Sequence, residues 1–265
     1  MTPKAREPVE RSHADQEAAL DPRRCPEHGS ASPLNPSQPK DADLSPTPHA
    51  ASGGASGVTA NQDTANPSRS RSDHSPYAEG VAAVFLDRDG VLNDQTAFVN
   101  KPEDFNLLPG AAAAVARLNR AGIPVVVVTN QGGIALGYLT EDDLAAIHER
   151  MATLLADEGA HTDKIYYCPH FASGTIARYA NDCEDRKPGT GMLEKARDDL
   201  SLDLRKSVLV GDATTDILAG IRAGCRTILV RTGYAGKDGK AIAEPDHVVA
   251  DLPAAVDLIL TEPCV

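Results

Sequence analysis

Two aspartates, Asp87 and Asp89, stand one residue apart in VFLDRDGVLN, after an apolar run and ahead of a glycine. Carboxylates this close repel and raise one another's pKa, so their pairing at the tip of a buried strand calls for a counter-charge. A hard divalent cation supplies it, because Mg²⁺ takes one or two carboxylates together with phosphate oxygens and water. Three other stretches carry groups that suit the same chemistry. VVTNQGG offers Thr129, Asn130 and Gln131 to the substrate ahead of two glycines, RKP offers Arg186 and Lys187 to it, and VGDATTD holds Asp212 and, a helical turn later, Asp216. Together they fit phosphoryl transfer, with Asp87, Asp89 and Asp212 clustered at magnesium. One carboxylate attacks phosphorus to form an aspartyl-phosphate. A second, two residues on, protonates the leaving oxygen and then activates water. The Thr129 hydroxyl, nearby backbone N–H groups and the Lys187 ammonium would hold the charge on the equatorial oxygens.

The elements that must position these groups are legible in the pattern. From about residue 78 strand-like runs, VAAVFL, PVVVVT, KIYYC, SVLVG and TILVR, alternate with helical stretches, GAAAAVARLNRAG, EDDLAAIHERMATLLADEG, GMLEKARDDL and TDILAGIRAG. In the second helix Thr140 and Asp143 predict a capping box, and Leu144, Ile147, Met151, Leu154 and Leu155 predict one apolar face. A last helix is expected over roughly Pro253–Leu260. Nearly continuous apolar strands alternating with helices predict an α/β fold: a Rossmann-like parallel sheet with helices on both faces. Ligands of such sheets bind beyond the carboxyl ends of the strands. An aspartate after a strand is by itself most often a helix cap, and a lone lysine is usually solvated. The inference rests on four polar ends converging on one edge.

The rest of the chain narrows the class. A formal charge of −12 argues against nucleic acid as a partner. The five cysteines are odd in number and scattered, unlike a secreted disulfide framework. No apolar run is long enough for a bilayer and no secretory h-region opens the chain, so a cytoplasmic protein with a small phosphorylated metabolite as its partner is expected. Residues 1–77 predict a disordered tail, rich in Pro, Ser, Ala and Asp and without aromatics before Tyr77. Residues 78–265 predict the folded domain. The short CPEH and RSRSDHS stretches of the tail read as chance matches, Cys225 as core and Cys264 as a terminal thiol.

DRDGVLN, VVTNQGG, RKP and VGDATTD resemble, in order and spacing, the four motifs of the haloacid-dehalogenase-type phosphatases, and the likeness covers about 80–260. The resemblance implies Asp87 as nucleophile and Asp89 as general acid/base, the latter also offering a main-chain carbonyl to Mg²⁺. It further implies Asp212 as a metal ligand and Thr129 and Lys187 as phosphate binders, with Asp216 supporting the loop. The first gap between motifs has room for one helix and the second for one helix, one strand and a loop, so no separate cap domain fits and the site is expected to be open.

The loop YYCPHFASGTIARYANDCEDRKPGTGM resembles the zinc-bearing loop of the D,D-heptose 1,7-bisphosphate phosphatases and histidinol phosphatases, where C-x-H pairs with C-x-C before RKP. The resemblance implies a structural zinc held by Cys168, His170, Cys183 and, in place of a cysteine, Asp185. It also implies Arg186 as a substrate-gripping residue, and a heptose bisphosphate 7-phosphatase ahead of a histidinol-phosphate phosphatase. Leu136 stands where the heptose enzymes usually carry arginine. Cys168 and His170 read without that resemblance are strand-end packing and a surface histidine. A receiver-type signalling module shares the sheet, a phosphorylatable Asp, a Thr and a Lys, but has no need of an acid/base such as Asp89.

Overall fold

The computed structural model describes residues 80–94 and 99–262. The expected tail, its CPEH and RSRSDHS stretches and Cys264 lie outside the described residues. Six strands, β1 (Val84–Leu86), β2 (Val125–Asn130), β3 (Lys164–Cys168), β4 (Val208–Gly211), β5 (Arg226–Val230) and β6 (His247–Val249), form one sheet in the order β3-β2-β1-β4-β5-β6. Every pairing is parallel, with Val84 registered between Val125 and Val208. The strand order reverses between β1 and β4, and the crevice at such a reversal is where open α/β sheets take their ligands.

Both faces of the sheet are covered, which is why its central strands need no polar alternation. Val84 and Leu86 point into a core shared with α1 (Ala111–Arg120), α3 (Glu141–Asp157) and α6 (Leu252–Thr261). Phe85 points the other way, into a smaller core with α4 (Gly191–Leu200) and α5 (Thr214–Ala223). In α1 the small side chains Ala111, Ala112, Ala114 and Ala116 are buried, flanking Val115 and Leu118. Helix α3 begins at the expected box: the Asp143 N–H donates to Thr140 Oγ1 (3.1 Å) while the Thr140 N–H donates to Asp143 Oδ2 (2.8 Å). Its buried stripe is Leu144, Ile147, Met151 and Leu155, with Leu154 at the margin.

Two short elements depart from the expected pattern. GIAL, to which the sequence pattern assigns no element, winds into a single helical turn, α2 (Gly133–Leu136). HVV, with no strand expected, becomes the edge strand β6 by pairing with β5. Both are too short for periodicity to register, so neighbours decide them. Between β1 and β2 the described residues hold only a 3₁₀ turn at Pro102–Asp104 and α1; between β2 and β3 they hold α2 and α3. No cap domain is inserted among the described residues. Also among them, no helix is long and apolar enough to cross a membrane.

Thr140→Ala removes the side-chain acceptor of the α3 box while leaving the core untouched. It should lower unfolding free energy by about 1 kcal/mol, read as a shifted denaturant midpoint at constant slope.

Candidate active site

The polar ends of β1, β2 and β4 meet at one buried ammonium. Lys187, 3 % exposed, lies at the end of the long β3–α4 connection. Its Nζ donates to Asp87 Oδ1 (2.9 Å), Asp216 Oδ1 (2.7 Å) and the Val128 carbonyl oxygen (2.8 Å), which accounts for all three of its protons. Burial works against this charge, but Asp216 and Asp87 outweigh it and hold Lys187 protonated, with its pKa raised. Asp216 Oδ2 also accepts from the Ala213 N–H (3.1 Å), so this carboxylate serves the α5 entry and the lysine together.

Asp87 follows β1 directly. Its Oδ1 also accepts from the Arg88 N–H at 2.7 Å. Burial foremost, with Asp216 and Asp89 adding, pushes its pKa up to about 7 in spite of Lys187. Asp212, at the end of β4, is pushed further, to about 9, by burial and then by Asp216 and Asp87. Its Oδ2 accepts from the Tyr234 N–H (2.7 Å), while its buried Oδ1 has no hydrogen-bond partner among the described residues. Oxygens of Asp87, Asp212 and Asp216 all lie within 4.8 Å of one another. Three carboxylates thus face one ammonium, with one buried oxygen left without a donor. That is a donor set which fits a hard divalent cation.

The segment after β5 seats Asp212. Besides the Tyr234 N–H, the Gly236 N–H donates to the Asp212 carbonyl oxygen (2.7 Å), and Thr232 Oγ1 donates to the Gly90 carbonyl oxygen (2.6 Å). At Gly233 (φ +58°) any Cβ would collide with Asp212 Oδ2 and crowd the Gly90 Cα. Asp238 completes the latch by accepting from the Thr214 N–H (2.7 Å) and hydroxyl (3.0 Å) at the start of α5.

Asp89 sits in a nest of donors. Arg88, 1 % exposed, gives Nη2 to both of its oxygens (2.9 Å each); Asn93 Nδ2 reaches Oδ1 (3.0 Å) and Gln131 Nε2 reaches Oδ2 (2.9 Å). Burial opposes the charge, but Arg88, Asn93 and Gln131 outweigh it and hold Asp89 below the ordinary carboxylate range. Behind the guanidinium stands His148 of α3, its Nε2 3.4 Å from Arg88 Nη1. Burial first, then Arg88, depresses this imidazole to about 4, so it faces the arginine neutral.

Several expected roles change once side-chain directions are known. Asn130, expected to face substrate, turns both ends of its amide to the Lys187 backbone: Nδ2 donates to the carbonyl and Oδ1 accepts from the N–H, each at 3.0 Å. Gln131, also expected at substrate, is 6 % exposed and bridges Asp89 to Thr129 Oγ1 (2.8 Å). In this structure both amide nitrogens thus donate to the site's own groups. Because Thr129 Oγ1 accepts from Gln131, its own O–H remains a donor. The Asp89 carboxylate is engaged by its donors but partly exposed, and its main-chain carbonyl is the group left free to serve a metal.

Cys168, His170 and Cys183 place their ligand atoms within 4.8 Å of one another, with Cys168 Sγ 3.8 Å from His170 Nδ1. Burial, with Cys183 adding, pushes the Cys168 thiol up to about 12. Asp185 is not in this group. Its carboxylate turns to Lys195 Nζ (2.5 Å), because α4 offers an ammonium within reach. The expected four-ligand set is therefore corrected to three.

Comparison with known proteins supports the same reading. The HAD-hydrolase-like family matches residues 185–255. The D-glycero-D-manno-heptose-1,7-bisphosphate 7-phosphatase of Thermosynechococcus vestitus is 45 % identical over 187 residues, which covers 68 % of this chain and 95 % of that protein. The D-glycero-beta-D-manno-heptose-1,7-bisphosphate 7-phosphatase of Escherichia coli is 42 % identical, covering 68 % and 95 %. The crystal structure of the D,D-heptose 1,7-bisphosphate phosphatase of B. bronchiseptica, complexed with magnesium and phosphate, superposes with a TM-score of 0.61 at 37 % identity, covering 67 % of this chain and 98 % of that one. The chain belongs to the heptose-bisphosphatase family of haloacid-dehalogenase-type phosphatases.

Some working parts of this phosphatase were not assigned from its sequence. Arg88 lies inside the first motif, but its grip on Asp89 is invisible without coordinates. His148 had one usable signal, a histidine set in the apolar stripe of α3 between Leu144 and Met151. Thr232, Tyr234 and Asp238 had none, since they reach the site only through the fold.

The crowded carboxylates have a thermodynamic consequence for the metal-free phosphatase. Folded Asp87 and Asp212 keep protons that the unfolded chain has already released, so stability is lost as pH rises from the ordinary carboxylate range through about 7 and then about 9. The melting temperature in chelator should therefore fall steadily from pH 5 to pH 9. Asp212→Asn should flatten the upper part of the curve and melt above the parent at pH 8. A parent curve that is level over this range would show that the buried charge is compensated some other way.

Proposed function

We propose that this phosphatase hydrolyses a small sugar phosphate through an aspartyl-phosphate, with D-glycero-D-manno-heptose 1,7-bisphosphate, cleaved at position 7, as its preferred substrate. The observation that carries the chemistry is the single buried cluster of Asp87, Lys187, Asp216 and the unpartnered Asp212 oxygen, with Asp89 held beside it. The names of its relatives favour the sugar.

Asp87, Asp212 and the Asp89 main-chain carbonyl would hold Mg²⁺, which when bound neutralises charge on the carboxylates and the phosphate. Asp87 is the nucleophile: its carboxylate attacks phosphorus, the ester P–O bond breaks, and the leaving oxygen takes a proton from Asp89. Binding of the phosphate dianion beside Asp89 raises that group's proton affinity, so the complex takes up from solvent the one proton that Asp89 then delivers. In the second step Asp89, again a carboxylate in its donor nest, removes a proton from water. That water attacks phosphorus, the bond to Asp87 breaks, and inorganic phosphate leaves. The Thr129 hydroxyl holds one equatorial oxygen, Lys187 turns to another by giving up its hydrogen bond to Asp87 once that carboxylate is on phosphorus, and Asn130 and Gln131 keep Lys187, Thr129 and Asp89 in register. Arg186 grips the substrate away from the reacting phosphorus.

Cys168, His170 and Cys183 are proposed to bind zinc as a structural ion that orders the loop leading to Arg186 and Lys187. The closeness of three such ligand atoms at the end of β3 supports this. The described thiols are all free, which suits a reducing, cytoplasmic setting.

Asp87→Asn should lose turnover by on the order of 10⁴-fold or more while keeping its fold, as expected for removal of a nucleophile. Asp89→Asn should be similarly slow but accumulate a phospho-enzyme detectable by intact mass. Steady-state turnover near normal in Asp87→Asn would remove the covalent mechanism. Across a panel of phosphates, heptose 1,7-bisphosphate should show the highest kcat/KM and histidinol phosphate the next. A wide lead for aryl or nucleotide phosphates would leave the phosphatase reading standing and reject the sugar.

The loop metal has its own test. Protein purified without chelator should contain near-stoichiometric zinc by elemental analysis, and Cys168→Ser should lose both the metal and most activity. Zinc-free protein with a fully active Cys168→Ser variant would show that the loop orders itself by other contacts.

A further inference from the structure

Arg186 does not wave from a surface loop. Its Nη1 donates to the His170 carbonyl oxygen at 3.1 Å, and its Cζ lies 4.9 Å from the centroid of the Phe171 ring. Beside the same guanidinium lies the main chain at Gly132, where a Cβ would come 3.1 Å from Arg186 Nη1 and 3.3 Å from the Phe171 Cβ. Gly132 itself has φ −62° and ψ −12°, helical values that any residue adopts. A side chain here would therefore crowd Arg186 and Phe171 without straining the backbone, and the guanidinium is the group that would have to shift. Phe171 is in turn held in place. Its N–H donates to the Tyr179 carbonyl oxygen (3.1 Å), its own carbonyl oxygen accepts from the Gly174 N–H (2.8 Å), and its ring packs at the margin of the larger core.

We infer that Phe171 and Gly132 are positioning residues for substrate recognition: together they form a slot that holds the Arg186 guanidinium in one orientation before substrate arrives. The inference rests on the proposed substrate grip of Arg186. A guanidinium over an aromatic face is attracted by the ring's quadrupole. A planar fork already fixed in orientation loses less freedom when it engages an anionic or hydroxyl-rich ligand. Phe171 directly follows His170, so the turn that brings His170 to the thiols also builds one wall of the slot. Gly132 follows the Thr129–Gln131 segment, so the other wall is tied to the phosphate end of the site.

The slot acts on the far end of the substrate, which separates it from a general structural role. Phe171→Leu keeps apolar volume but removes the ring. It should raise KM for heptose 1,7-bisphosphate about five-fold, hold kcat within about two-fold, and leave kcat/KM for a small aryl phosphate unchanged, since that substrate has no far end to grip. Phe171→Tyr should restore the parent KM. Gly132→Ala, whose backbone tolerates alanine, should raise KM in the same selective way by displacing the guanidinium. Arg186→Ala is the reference and should raise KM at least as much as Phe171→Leu. A raised KM in Arg186→Ala with parental values in Phe171→Leu and Gly132→Ala would overturn the slot and leave the grip standing. A parental KM in Arg186→Ala would remove the grip itself and the slot with it. Equal losses on both substrates would show ordinary structural damage, and that too overturns the inference. If Phe171→Leu melts too low to assay, Gly132→Ala decides.

Discussion

The Lys187 ammonium is the point on which the rest of the site depends. It is almost wholly buried, and each of its three protons goes to a different part of the fold: Asp87 after β1, the Val128 carbonyl in β2, and Asp216 in α5. An unpaired ammonium in this position would be strongly unfavourable, and so would the carboxylates without it. The charges are therefore mutually required, and the geometry that satisfies them also brings three strand ends to one place. Asn130 adds a second tie by closing a pair of hydrogen bonds on the Lys187 backbone. Removing any one partner leaves a buried charge exposed to its neighbours, so these residues act as a unit rather than as separate contributions.

The two aspartates of the first motif are set apart by surroundings. Asp87 has one ammonium shared with Asp216, lies near Asp212, and is pushed towards its protonated form. Asp89 is surrounded by N–H donors from Arg88, Asn93 and Gln131 and is held ionised. In the metal-free site the two carboxylates therefore differ in protonation, and a cation bound at Asp87 and Asp212 would reverse their order by favouring the ionised forms. Arg88 holds Asp89 with a planar fork whose Nη2 reaches both of its oxygens. The neutral His148 behind it fills space without adding a competing cation.

The loops do what a cap domain does elsewhere. With none inserted among the described residues, the mouth of the site is shaped by the β3–α4 connection on one side and by the segment after β5 on the other. The latter is fastened by Asp238 to the start of α5 and donates two N–H groups to Asp212. The former contains the cysteine–histidine trio, Phe171 and Arg186 in one continuous run. The proposed metal trio, the loop it would order and the proposed substrate grip thereby share one stretch of chain.

Sequence alone determined the α/β class, the parallel sheet, the start of α3, the polar ends of β1, β2 and β4, and the RKP run ahead of α4. Each of these is a local string: apolar runs, a capping pair, or polar residues after a strand or ahead of a helix. The parallel fold then carries such ends to one edge without further information. Tertiary structure alone decided where the side chains turn. Asn130 and Gln131 point inward to Lys187, Thr129 and Asp89; Asp185 leaves the trio for Lys195; Arg186 lies between Phe171 and Gly132. HVV becomes a strand only because β5 offers it an edge. These outcomes depend on distances between segments tens of residues apart. Residue type and spacing specify which groups are available, but the choice among competing partners is made by which of them the packed elements bring within reach.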